Sequence, residues 1–356
     1  LDEFDRQTRR RIAMTSSVAS TKQTDFLKYS HTIGLCTMDG RGFMFPSDTA
    51  IGPEGRIYTV SRGLVGDSRT QRVTAYDLDS AFFGTFGSFG EDEGQFKLPS
   101  AIAVDSNGHV YVADEYSHRI NIFDSEGKPV GSWGSKGVGE GQFNGPSGMA
   151  FDGEDHLYVS DHRNHRIQKF TKDGAFVLSF GSEGDGEGKL NLPWGVAVDG
   201  GDEVYVADWR NDRISKYSSD GKFLRAFGSS GNGDGQFNRP SSVAVDGEGY
   251  IYVSDWGNER VQVFGPDGDF ITKLRGTATV SRWAQDFLST NAEEADARAK
   301  ANLEPDLELF GGDPHEESAH TEKYFWGPVS VKLDAEGKIY VTESNRHRIQ
   351  IYERGA

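Results

Sequence analysis

The chain has 356 residues, 35% of them hydrophobic, with 45 glycines and a formal charge of −17. So acidic a chain repels a phosphate backbone unless one face is locally basic, which argues against sequence-independent nucleic-acid binding. The lone Cys36 rules out an internal disulfide framework and a cysteine-held zinc, and no apolar run approaches the roughly 20 residues needed to span a bilayer.

Residues 1–25 read as a polar tail. The stretch 26–43 makes sense only against the repeat that follows it. That repeat opens as FMFPSDTAIGPEGRIYTVSRG around Pro46 and continues in four closely similar units. Their prolines, Pro99, Pro146, Pro193 and Pro240, stand 47 residues apart. Self-similarity at one fixed period is the mark of a repeat architecture. Each unit reads as four strands. In the unit after Pro193 these are Val196–Val198, Val204–Ala207, Arg213–Tyr217 and, past the Asp220-Gly221 turn, Lys222–Phe227. Period-two alternation bounded by Asp-Gly turns is a strong hairpin signal.

Between Pro46 and Pro99 the spacing is 53, so the first unit carries six extra residues, within Arg62 to Gln71. Between Pro240 and Pro328 it is 88, so 41 residues are added ahead of the last unit. Within that addition, 276–325, Val280, Trp283, Ala284, Phe287 and Leu288 follow helical spacing, and Asn291 to Asn302 is rich in Ala and Glu. The segment reads as a helical lid over one face, with a partner-binding appendage as the other reading. The last unit, WGPVSVKLDAEGKIYVTESNRHRIQIY, stops after its third strand. The missing fourth strand lies at the other end of the chain. Fourth strands end in Gly with Phe or Leu nine residues on, and Gly34/Phe43 repeats that spacing three residues before Pro46. Phe26 to Leu35 is therefore expected as the outer strand of the last blade, closing a ring of six and leaving no open sheet edge at the seam. The fold class is all-β: a six-bladed β-propeller over 26–356 with a helical insertion between blades five and six.

The motif Tyr-Val-x-Asp-x-x-x-x-Arg-(Ile/Val)-x-x-(Phe/Tyr), followed by Gly-x-x-Gly-x-Phe and Pro, resembles the NHL repeat. The resemblance implies the propeller and leaves function open among enzymes, ligand binders and protein- or RNA-binding platforms. In layout the chain is similar to the peptidyl-hydroxyglycine amidating lyases. That family holds zinc with histidines directly after the blade prolines. Here those positions are Ser47, Ser100, Ser147, Trp194, Ser241 and Val329, so no zinc site is recognisable, while a divalent metal on the axis stays open. Ser61-Arg62-Gly63 falls where that family carries a catalytic Arg-Gly. Tyr116 resembles its loop tyrosine but sits one blade earlier, so that role is not carried over.

Blade-to-blade differences on the face formed by the loops between second and third strands should report function, because sites sit on loops held by a rigid scaffold. After the loop acid the residues run Arg62, Glu115, His162, Trp209, Trp256 and Ser344, then Gly63, Tyr116, Arg163, Arg210, Gly257 and Asn345. Trp194 projects from the position after its proline. These suggest an aromatic mouth with convergent charges. Arg62, His162 and Tyr116 are the catalytic candidates. Glu115, Arg163, Trp194, Trp209, Arg210, Trp256 and Asn345 are the ligand-lining ones, with simple blade packing of Trp209 and Trp256 equally open. The recurrent Asp114, Asp161, Asp208 and Asp255, each five residues before an Arg, are expected to be structural ion pairs, and Glu343 and Ser61 mark loops released to vary. His118, His165 and His347 share one repeat position, too far apart to hold one metal. His315 and His320, with Glu316 and Glu317, are read as a solvated acidic loop. The expected function is a small-molecule enzyme or binder, by analogy a lyase or hydrolase. The rival is a non-catalytic protein scaffold, and RNA binding would need a basic surface through Arg163, Arg210 and Arg239. The chain is expected to be soluble, its compartment cytoplasmic or secreted.

Overall fold

The computed structural model describes residues 26–64 and 67–355; the polar tail read over 1–25 lies outside them. Six four-stranded antiparallel sheets follow one another along the chain. In blade four the strands are Val196–Val198, Val204–Asp208, Arg213–Tyr217 and Phe223–Phe227, within a residue of the bounds expected. The first strand of each blade touches the first strands of both neighbours. The last of these contacts, between Pro46–Ile51 and Pro328–Leu333, closes the ring.

The seam is made as the repeat spacing requires. Leu27–Ile33 runs antiparallel to Arg348–Arg354 as the fourth strand of blade six, with Ile33 opposite Ile349. It stops two residues short of the expected Leu35 because Gly34 turns the chain at φ 136°. A Cβ there would lie 2.7 Å from both the His347 carbonyl and the Arg348 Cα, so only glycine fits.

Period-two strands buried on both faces supply the core. Six apolar clusters form, one in each gap between neighbouring blades. In four gaps an aromatic ending the fourth strand lies over a turn glycine of the next blade: Phe86 on Gly127, Trp133 on Gly174, Phe180 on Gly221 and Phe227 on Gly268. These glycines have positive φ, between 81° and 86°, and the ring occupies the space a Cβ would need.

The recurrent acids and arginines hold the loops. Asp161, Asp208 and Asp255 bond Arg166, Arg213 and Arg260 at 2.7–2.9 Å. Each also accepts the backbone N–H two residues before its own blade's proline, from Asn144, Asn191 and Asn238. The arginines reach on to carbonyls of the glycine-rich loop, as Arg260 does to Gly233 and Gln236. Two expectations are corrected. In blade two the pair is not formed: Asp114 takes backbone N–H groups while Arg119 takes the Glu91, Asp92 and Gln95 carbonyls. The loop carrying Glu343 is not released either, since its longer side chain reaches both Arg348 Nε at 2.7 Å and the Trp326 N–H at 3.2 Å. In blade one the acid is indeed lost, and Arg72 alone grips the Met38, Arg69 and Gly42 carbonyls.

The three histidines at one repeat position also have a structural task. His118, His165 and His347 adopt left-handed φ of 53–55°. Each accepts, through Nδ1, the N–H of the residue before a blade proline: Gly145 at 3.0 Å, Leu192 at 3.2 Å and Phe45 at 2.9 Å. Asp212 and Glu259 do the same for Arg239 and Gly327.

The insertion is helical as expected: α1 (Arg282–Thr290), α2 (Ala292–Lys300) and α3 (Pro314–His320). The third helix corrects the loop expected around His315. Asp313 caps it by accepting the His315 N–H at 2.9 Å, with proline at the first helical position. No helix among the described residues is long and apolar enough to cross a membrane.

Candidate functional site

At the end of the axis where the second-to-third-strand loops converge lies a cavity of 270 Å³. Two repeat positions build it. The residues directly after the prolines contribute Ser47, Ser100, Trp194, Ser241 and Val329. The residues after the loop acid contribute Arg62, Trp209, Trp256 and Ser344, with Asn345 beside them. Repetition places these side chains around one mouth, and their differences give it its chemistry.

The serines are engaged in structure. Ser47, Ser100, Ser147 and Ser241 each donate to the carbonyl of the next blade's proline, at 3.2, 2.6, 3.2 and 3.3 Å. Trp194 and Val329 break this inner ring of hydrogen bonds, and Trp194 takes the space as an aromatic wall. Its ring lies 6.3 Å from that of Trp209, centre to centre. Arg210 and Arg239 stand over Trp209 at 5.7 and 5.2 Å, within cation–π range. Arg239, expected only as part of a basic surface and not as a site residue, comes from the loop ahead of Pro240.

Among the described residues, Arg62 is the one charged side chain lining the cavity. Glu115, 7% exposed at its side chain, stands behind it, bonding Arg62 with one oxygen and Arg163 with the other, at 2.7 Å for the latter. One buried carboxylate thus fixes two guanidinium groups, and Arg62 Nε is buried without an acceptor. Two of the arginines at this end of the axis, Arg62 and Arg163, share the Glu115 carboxylate, while Arg210 and Arg239 lie over Trp209.

His162 does not line the cavity. It is 7% exposed, packed edge-on to Trp194 and Trp209 with centroids at 4.9 and 6.3 Å. Its Nδ1 faces the Pro193 carbonyl at 3.2 Å, which places the proton on Nδ1 and leaves Nε2 as the acceptor. Burial pushes its pKa down, so the ring is neutral near pH 7. Tyr116 lies outside the cavity, 60% exposed, with the Lys97 ammonium 4.9 Å over its ring.

The insertion supplies none of the residues that wall this cavity. It reaches the rim through α3, where His315 Nδ1 lies 2.7 Å from Glu259 Oε1. Glu259, 3% exposed, also accepts the Gly327 N–H at 2.6 Å. Burial raises its pKa. Among the described residues no group of three or more His, Cys, Asp or Glu side chains is placed to hold a metal ion.

The NHL repeat model matches residues 96–123, 143–170, 190–217, 237–264 and 325–352. The chain belongs to the NHL-repeat propeller family. The five matched repeats are blades two to six. Blade one of this NHL propeller, where Ser61 replaces the loop acid and Arg62 enters the mouth, is the copy outside the match. No curated protein matches by sequence. Among solved structures, the NHL propeller is similar to a streptogramin B lyase at 11% identity, covering 92% of this chain and 98% of that one with a TM-score of 0.52. It is similar to a catalytically inactive variant of virginiamycin B lyase from Staphylococcus aureus with quinupristin at 12% identity, 92% and 99% coverage and a TM-score of 0.55. A protein of unknown function from Bacteroides thetaiotaomicron shares 19% identity over 94% and 76% of the two chains, with a TM-score of 0.60. At these identities the likeness is one of fold.

Proposed function

We propose that the axial mouth is a small-molecule binding site for a flat anion, in the simplest case an aryl carboxylate. The observation that carries this reading is Arg62, held by Glu115 at the wall of a cavity otherwise lined by three tryptophans, a valine, hydroxyls and an amide. A guanidinium with a planar fork suits a carboxylate, and indole faces suit a flat apolar body. The magnitudes give the charge the deciding part. Burying about 100 Å² of an aryl ring gains about 2.5 kcal/mol. Association costs about 4 kcal/mol or more before any gain. The contact with Arg62 has to supply the difference, and neutral aryl compounds should bind poorly.

Turnover is the finer question. A lyase reading draws on the shared fold with the streptogramin B and virginiamycin B lyases. Of the acid–base candidates on this chain, Tyr116 lies outside the cavity, which leaves His162 Nε2 as the base to consider. That ring stands behind Trp194 and Trp209 rather than at the cavity wall, so binding is the reading adopted. A protein-docking face would call for a contiguous apolar patch. The exposed Phe83, Val130, Val177, Leu224 and Ile271 are instead spread one per blade around the outer strands.

The test is a tryptophan-fluorescence titration with phenylacetate and its neutral twin phenylacetamide. Phenylacetate should quench saturably and bind about tenfold tighter or better than the amide, and Arg62→Ala should erase that preference. Equal binding of the two compounds, or a preference that survives in Arg62→Ala, contradicts the proposal.

A further inference from the structure

A second cavity, of 440 Å³, opens on the outer side of blade six, between the insertion and the end of the closing strand. One wall is aliphatic: Leu35 from the closing loop, then Val280, Ala284, Leu288 and Leu303, with Phe287 the one aromatic among them. The other wall is basic. Arg298, Arg346 and Arg348 line it, with His320 and a single acid, Glu322.

The three arginines differ in how their charge is met. Arg348 is paired with Glu343 at 2.7 Å, and Arg298 with Glu322 at 2.6 Å. Arg346 has no ion-pair partner among the described residues. Its Nη2 donates to the Ser318 and Ala319 carbonyls at 2.9 and 3.0 Å, and its guanidinium lies 5.2 Å over the Trp326 ring. Its Nε is buried with no acceptor. The guanidinium is half-buried with only longer-range attraction from Glu343 and Glu322, and burial pushes its pKa down. An anion delivered from solution would meet that charge.

The loop carrying Arg346 serves both cavities. Ser344 and Asn345 face the axial mouth, while Arg346 and Arg348 line the outer groove. The outer site is nevertheless chemically distinct, since its apolar wall is aliphatic where the mouth is indole.

We propose that this groove is a second ligand site, for an amphipathic carboxylate whose head meets Arg346 and whose acyl chain lies along Leu35, Val280, Ala284 and Leu288. The inference is independent of the axial reading, because it shares no lining residue with it.

Isothermal titration calorimetry of the full chain with decanoate tests it, with decan-1-ol as the uncharged control. One decanoate should bind saturably, about tenfold or more tighter than the alcohol. Arg346→Lys should retain binding, whereas Arg346→Met should lose about tenfold or more. Ala284→Trp, which fills the groove, should abolish binding at an unchanged melting temperature, and Glu322→Gln should tighten it by releasing Arg298. Arg62→Ala should leave it unaltered. No saturable binding to the wild-type chain, equal binding of acid and alcohol, or full binding in Ala284→Trp overturns the proposal. Loss of decanoate in Arg62→Ala with retention in Ala284→Trp would assign it to the axial mouth instead.

Discussion

A single residue type at a single repeat position can carry opposite meanings. The serines after the prolines stand where a zinc-binding relative would carry histidines, and here they hydrogen-bond to the next blade. The histidines before the strand-three arginines, spread over different blades, prove to be latches whose neutral Nδ1 accepts a backbone N–H. A latch of this kind opens on protonation. Burial holds the pKa of His118 and His347 below the ordinary 6.5, so the unfolded chain takes up protons first as the pH falls. Their contribution is therefore intact above about pH 6.5 and is lost as the pH drops through the lower folded values. We expect the melting temperature of the wild type to fall between pH 7 and pH 5 more than that of a His118→Asn, His347→Asn variant. Asparagine still accepts through its side chain and tolerates the left-handed backbone. Parallel declines in the two proteins, followed by differential scanning calorimetry, would remove the histidines from the latch account.

At the scale of elements, the insertion does more than decorate one face. In four blade gaps an aromatic from the fourth strand covers a left-handed turn. At the seam between blades six and one that strand ends in Ile33, too small for the task, and Ser80 holds the left-handed turn position at φ 63°. Trp283 from α1 fills the gap. It is fully buried, its Nε1 donates to the Ser80 carbonyl at 2.7 Å, and its ring lies 5.7 Å from Phe43 and 5.5 Å from Tyr76. Trp283→Ala should cost about 3–5 kcal/mol, measured by chemical denaturation, while Leu309→Ala, at an exposed side chain on the 3₁₀ turn Leu307–Phe310 of the insertion, should change nothing resolvable. A Trp283→Ala cost below about 1 kcal/mol would mean the seam is closed by the strand pairing alone. The strands, their turns and the closing segment were legible because period, proline spacing and Asp-Gly turns state them locally. The helical spacing of Val280 to Leu288 was legible too. Where those helices dock was not, since the need for Trp283 arises from Ile33, some 250 residues away in the chain, in a gap that exists only once the ring is closed.

At the scale of the whole molecule, the ring turns sequence variation into a site. Five near-identical repeats hold their loops in register, and each departure from the repeat (Arg62, Trp194, Trp209, Trp256) falls on the same mouth. Reading the loop positions around the ring therefore located the cavity, though not which side chains reach its surface: His162 and Tyr116 share the repeat positions of Trp209 and Arg210, and packing sends one behind the wall and the other to solvent. The ring also separates two arginine-bearing pockets in an acidic molecule, an indole-lined one on the axis and an aliphatic one outside blade six. A crystal structure of the protein soaked with phenylacetate would show whether Arg62 holds an anion on the axis. Ligand density on the axis, with the carboxylate against Arg62 and the ring on an indole face, is the predicted result. An empty axial cavity at saturating phenylacetate, or a ligand seated there with its carboxylate turned away from Arg62, would contradict it.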